Sequence, residues 1–145
     1  MRCLRRHLLI TTAPGINLHD LTGEIRALGA ESGICAGFVT ESSRHTTTAP
    51  TINENEPRLL EDVRTFLGKL VPADAGYLHN DIAQRDCPPD EPENVHAHII
   101  AMLMGSSEAI PRVEGELDPG RWQSVLLVEL DGPRQRTVAV QVCGD

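Results

Sequence analysis

The chain has 145 residues, 40% of them hydrophobic, which matches one domain spanning 1–145 with a core large enough to need no staples. A formal net charge of -8, with thirteen Lys and Arg in no dense run and only two Phe, one Trp and one Tyr, argues against nucleic-acid binding. The apolar run after the basic start is only Leu8, Leu9 and Ile10, too short for a signal segment, and no stretch approaches membrane-spanning length, so no membrane partner is expected. Cys3, Cys35, Cys87 and Cys143 lie far apart with no C-x-x-C pair, so no zinc ribbon or dithiol redox site is expected and a reducing cytoplasm fits.

In chain order, Arg2 to Thr12 reads as a first strand, with Pro14 and Gly15 at its exit. From Thr22 as N-cap, a short helix places Ile25 and Leu28 on one face and ends at Gly33. Ile34 to Glu41 reads as an apolar strand in which Gly37 marks a bulge or a close backbone approach. Leu59, Leu60, Val63, Phe66, Leu67 and Leu70 recur at helical spacing after Pro57, which predicts a helix to Leu70. Asp86 to Glu93 is rich in Pro, Asp and Glu and reads as an exposed loop.

Asn94 is the expected cap of a helix running to about Met104, with Val95, Ile99, Met102 and Leu103 inward and Gly105 as its stop. The last third changes period. Glu108 to Val113, Ser124 to Leu130 and Thr137 to Val142 read as strands of an antiparallel meander, and the last carries Val138, Val140 and Val142 on one face.

Histidine is the most informative residue type: His45, His79 and His98 stand in the polar segments RHTTTAPTINENE, LHND and NVHAH. Neutral imidazoles bind zinc and related ions, and three with one open position make a catalytic centre, but such wide spacing depends on folding. The plain alternative is three histidines that cap or underlie loops. His96 lies about 200° around a helix from His98 and is set aside. Asn53, Glu54 and Asn55 precede a helix start, where Glu54 could act as a base or simply stabilise the helix N-terminus. Trp122 reads as a core or subunit-interface anchor. Arg134 and Arg136, near a hairpin turn, could grip phosphate or only aid solubility. No P-loop, dinucleotide fingerprint, G-x-S-x-G elbow or kinase set is present.

Taken together, HTTTAPTINENE, LLEDVRTFLGKLVP, YLHND, NVHAHI, GSSEAIP, GRWQ and VELDGPRQR resemble the ordered motif series of the YjbQ-like family over most of the chain. The resemblance implies an α+β fold with an antiparallel β-sandwich-like core and flanking helices, assembled as a homotrimer. It implies a polar pocket in which His45, His79 and His98 hold a divalent metal ion, zinc or magnesium, with Glu54 and Asn53 as catalytic groups. Thr46, Thr47, Asn80 and Arg136 would bind the substrate, a small phosphorylated heterocycle.

The activity associated with that family is a weak, secondary thiamine-phosphate synthase reaction. It joins a hydroxymethylpyrimidine diphosphate to a thiazole phosphate and releases pyrophosphate. The chain departs from the family pattern at Ile100, at Arg121 and in the acidic insert 86–93, which leaves the natural substrate open. The rival expectation is a non-catalytic metal- or metabolite-binding trimer, since no unmistakable nucleophile or acid/base pair stands out.

Overall fold

The computed structural model describes all 145 residues, as two antiparallel sheets and three α-helices. The chain runs β1 (Arg2–Thr11), β2 (Gly15–Asp20), α1 (Thr22–Ser32), β3 (Gly37–Ser43), β4 (Thr48–Asn53), α2 (Pro57–Leu70), α3 (Val95–Met104), β5 (Ser107–Val113), β6 (Glu116–Leu117), β7 (Ser124–Gly132) and β8 (Gln135–Gly144). The larger sheet has the order β1-β8-β3-β5-β6 and the smaller β2-β7-β4. The expected α+β class with a sandwich-like core is what forms.

Alternation explains the core. Val138, Val140 and Val142 of β8, Val39 of β3 and Ile110 of β5 are buried against Val125 and Leu127 of β7, and Leu21 and Ile25 close the same cluster. The opposite face of β7 buries Val128 and Leu130 against Leu67 of α2 and Ala97, Ile100 and Ala101 of α3. The small sheet is therefore covered on both sides, and each fully buried aliphatic side chain contributes roughly 1.5–3 kcal/mol. No helix is long and apolar enough to cross a membrane.

The helix ends show which polar atoms set them. α1 is not capped by the Thr22 side chain: Leu21 holds the N-cap position, Asp20 Oδ1 accepts the Thr22 N–H at 2.9 Å, and Thr22 Oγ1 accepts the Val125 N–H. Gly33 ends α1 in the left-handed region at φ 61°, where a side chain would be strained. α2 starts where Glu56 accepts the N–H groups of Arg58 and Leu59, just before the first-turn Pro57.

Several expectations are corrected. β5, β7 and β8 form no meander, because β7 pairs with β2 and β4 in one sheet while β8 pairs with β1 and β3 in the other. The Asp131–Gly132–Pro133 turn is thus a corner between sheets. β3 begins at Gly37, since Cys35 and Ala36 bond instead to the Asp145 carbonyl, and Gly37 is a close approach: a Cβ there would lie 2.0 Å from the Cys143 carbonyl oxygen. On α3 the inward residues are Ala97, Ile100 and Ala101, while Met102 and Leu103 are 84% and 67% exposed. Trp122 is not a core residue; it is exposed, under the Arg121 guanidinium 4.8 Å from its ring centroid.

One feature of the cysteines was not expected from their spacing. Register places Cys3 of β1 opposite Cys143 of β8 with Cα atoms 4.4 Å apart, and the two form a disulfide that ties the edge strand β1 to its only partner. Sequence spacing hides this because the pair is 140 residues apart. A thiol titration of unfolded protein is expected to find only Cys35 and Cys87 before reduction and all four cysteines after it. Four reactive thiols without a reductant would refute the pairing.

Candidate functional site

β3 and β4 are joined by a short turn that carries Arg44, His45, Thr46 and Thr47 across from one sheet to the other. The C-terminal half of α3 and the residues after it face that turn. Between them lies an open cavity of about 740 Å³ lined by Ser43, Arg44, His45, Thr46, Thr48, His98, Ala101, Met102, Gly105 and Ser106. Its lining carries hydroxyls, two imidazoles and a guanidinium, and no carboxylate, in a chain with 21 Asp and Glu. Such a lining supplies hydrogen-bond donors suited to an anion.

His45 is held by β8: the Thr137 backbone N–H donates to its Nε2 at 2.8 Å. A ring that accepts at Nε2 carries its proton on Nδ1 when neutral, so His45 has an N–H left to donate. Burial holds His45 below the ordinary histidine range, with Arg136 and Arg44 adding to it and Glu129 opposing. His98, in α3, is also lowered, first by burial and then by His79 and Arg85, against Asp131 and Glu91. His79 meets His98 edge-on with ring centroids 4.9 Å apart. The fold thus brings His45 and His98 to one cavity and sets His79 against His98.

The other residues singled out above divide. Thr46 lines the cavity, but Thr47 is buried and its Oγ1 accepts from Arg136 Nη2 at 3.0 Å. Arg136 is buried as well, and forks onto Glu129 through Nε to Oε2 and Nη2 to Oε1, both at 2.6 Å. Asn94 holds the N-cap position of α3 as expected, but its side chain makes no cap bond, its Nδ2 donating to Asp131 while Asn80 Oδ1 accepts the Val95 N–H. Asn53 and Glu54 are exposed at the far end of β4, about 17 Å along the strand from Thr48, and do not line this cavity. Ile100 is wholly buried in the helix-side core and offers nothing to an anion.

A resident metal ion fails on the donors present. No group of three His, Cys, Asp or Glu side chains is gathered for an ion, and the Nε2 of His45 is already occupied by a peptide N–H. His79 and His98 alone are two ligands.

Sequence reasoning missed several residues. Ser43 and Thr48 form a short hydroxyl-hydroxyl hydrogen bond in the cavity wall, and Ser106 completes the wall by accepting the Ser43 N–H at its carbonyl. Glu129 anchors the wall from behind, accepting also from Thr12 Oγ1 at 2.8 Å and from the N–H groups of Leu130 and Asp131. Burial alone would push Glu129 up, but its bonds to Arg136, Asp131 and Thr12 outweigh that and hold it below the ordinary range. A lone acid inside the apolar run VLLVEL was the available signal. One strand pleat below Ser43, Glu41 is wholly buried with neither oxygen partnered, and burial, then Glu108, push its pKa to about 8.

Comparison with known proteins gives a consistent picture. The profile described as UPF0047 protein YjbQ-like matches residues 6–145. A UPF0047 protein of Methanothermobacter thermautotrophicus is 39% identical over 144 residues, covering 99% of this chain and 94% of the relative. YjbQ of Escherichia coli O157:H7 is 27% identical over 135 residues, covering 90% and 92%. Among solved structures, a YbjQ-like protein of unknown function from Sulfolobus solfataricus P2 superposes with a TM-score of 0.91 at 32% identity, covering 99% of both chains. A hypothetical protein from Aeropyrum pernix K1 gives 0.88 at 33% identity, covering 98% of this chain and 99% of that one.

Proposed function

The chain belongs to the UPF0047 YjbQ-like family, and on that premise we propose that it is a small enzyme of phosphorylated heterocycles with a weak thiamine-phosphate synthase-like activity. The observation that carries this reading is the carboxylate-free, donor-rich cavity in a chain of net charge -8. In the reaction, the bond from the pyrimidine methylene carbon to the diphosphate oxygen breaks as the thiazole nitrogen closes on that carbon. Charge builds on the departing diphosphate, where Arg44 and the Nδ1–H of His45 donate to it. The hydroxyls of Ser43, Thr46 and Thr48 orient the phosphate oxygens.

His45, His79 and His98 do not supply three free ligand atoms for a zinc or magnesium ion within one chain. The assembly proposed is a homotrimer, for which exposed Phe38, Val113 and Trp122 supply apolar contact. A catalytic role for Asn53 and Glu54 then requires a neighbouring subunit to present them. The setting proposed is the cytoplasm, where the glutathione pool would balance the Cys3–Cys143 disulfide against its thiols.

A second reading, a non-catalytic metal- or metabolite-binding trimer, is favoured by one observation: no carboxylate or thiol lines the cavity to serve as base or nucleophile. Purified protein given both precursors should release pyrophosphate, and His45→Ala should lower turnover on the order of 100-fold while the far-UV spectrum is kept. Chelation by EDTA should leave the fold and orthophosphate binding unchanged. Affinity for the precursors without pyrophosphate release would decide for the binding protein.

A further inference from the structure

Two acids face each other on the core side of the larger sheet. β3 and β5 run antiparallel, and register sets Glu41 directly opposite Glu108. Side chains at such positions share one face, with Cβ atoms about 4.5–5.5 Å apart. That face is the inner one, since Val39 and Ile110, two residues along each strand, are buried in the inter-sheet cluster. Glu41 is 0% exposed and neither of its oxygens has a partner, while Glu108 is half-buried, so the pair opens to solvent on the β5 side.

No positive group of the chain answers this pair. Neither acid belongs to any of the ion pairs. On β8 the register neighbour of Glu41 is Val140, and the charged residue of that face, Arg136, is held by Glu129. β4, which packs against β3 and β5, has the sequence TAPTIN and carries no titratable group. On β5 the next charged residue of the same face, beyond Ile110, is Arg112, which donates to the Ile34 and Gly115 carbonyls. Like charges set opposite each other on a sheet repel, and a buried charge without a partner is costly. A positive charge from outside has to enter the pair. Up to neutrality a proton fills that role, because burial and then Glu108 push the Glu41 carboxyl up to about 8. Above that pH four carboxylate oxygens stand free.

We propose that Glu41 and Glu108 form an exchangeable site for a hard divalent cation of the calcium kind, held between the sheets at the β3–β5 ladder. Its donors are oxygens alone, which suit such an ion, whereas the nitrogen donors of the histidines suit zinc. Calcium accepts bidentate carboxylates in irregular geometry, and water entering beside Glu108 completes its shell. Neither residue lines the histidine cavity, so the site stands apart from the reaction proposed above and neither reading depends on the other.

Calorimetric titration of calcium chloride into the intact chain, stripped with EDTA and desalted, tests this. Because the ion displaces the Glu41 proton, its affinity should rise on the order of 50-fold from about pH 6 to about pH 8. Titrations in buffers of differing ionisation enthalpy should show about one proton released per ion at the lower pH. Calcium should also raise the melting temperature of wild type at the higher pH and not at the lower. Glu41→Gln keeps the side-chain volume and should stay folded, while losing the pH-dependent affinity, the proton release and the thermal shift. Glu108→Gln should weaken binding on the order of tenfold. Calcium binding that survives in Glu41→Gln, or that ignores pH, belongs to exposed acids and overturns the site. Absence of binding at the higher pH overturns it as well.

Discussion

Replacing Glu41 by glutamine is expected to remove the fall in stability that the wild-type chain shows as pH rises, and so to leave the variant ahead by about 3 kcal/mol at pH 7. The group responsible is buried on β3 with both oxygens unpartnered, opposite Glu108 on β5. Removal from water disfavours its charged form, and the Glu108 carboxylate adds repulsion, so that the folded carboxyl loses its proton only near pH 8. The unfolded one does so near 4.5. Because the folded state keeps the proton longer, its stability is complete below about 4.5 and is lost as pH rises through 8. Each pH unit of that gap is worth about 1.4 kcal/mol.

Histidines act in a different window. His19, His45 and His98 are held below their ordinary value of 6.5, so the unfolded chain binds their protons more readily and stability rises with pH only up to about 6.5. Above pH 7 the slope belongs to Glu41. Urea melts of wild type and Glu41→Gln from about pH 7 to pH 9 isolate it. Parallel curves would show that Glu41 finds a partner in solution and is not a stranded acid.

Legibility in the sequence followed local pattern and stopped where pairing begins. α2 was readable residue by residue because Pro57 opens it and its apolar spacing has the helical period. β1 and β8 were readable from extended runs without turn formers. β2 and β4, the edges of the small sheet, were not: β2 carries a register shift after Gly15, and β4 holds Pro50, which suits only an edge. In α3 apolar residues occur all round, so periodicity could not say that Ala97 and Ile100 face inward and Met102 outward.

At the site, His45 and His98 stood out as histidines in polar segments and Thr46 through motif resemblance, and the fold does bring the three to one cavity. Ser43, Thr48 and Ser106 were out of reach, since nothing local says that β3, β4 and the end of α3 meet. The arginine expected to hold phosphate illustrates the same limit. Arg136 looks free in the sequence, yet the chain turns a corner between sheets just before it, and alternation along β8 then points it inward with Val138 and Val140. Its fork is filled by Glu129. The exposed Arg44, unremarked in the sequence, is the guanidinium that lines the histidine cavity.

Arg136→Met should cost about 3–5 kcal/mol in a urea melt at pH 7, because it leaves the Glu129 carboxylate charged and buried between the sheets. The double variant Glu129→Gln, Arg136→Met should cost less than the single one, since no stranded charge remains. Acid distinguishes this pair from Glu41. Glu129 is held below the ordinary carboxylate range, so its contribution is complete above about 4.5 and is lost as pH falls through its folded value; the gap between wild type and Arg136→Met should therefore narrow on acidification. The variant should also reach the cavity, because residue 137 presents the N–H that fixes the His45 ring and residue 47 loses its Arg136 donor. In an NMR titration, His45 of Arg136→Met is expected to take up its proton at higher pH than in wild type, as a neighbouring positive charge is gone. A single variant as stable as wild type, with an unmoved His45 titration, would mean that the buried pair neither supports the sheets nor positions the imidazole.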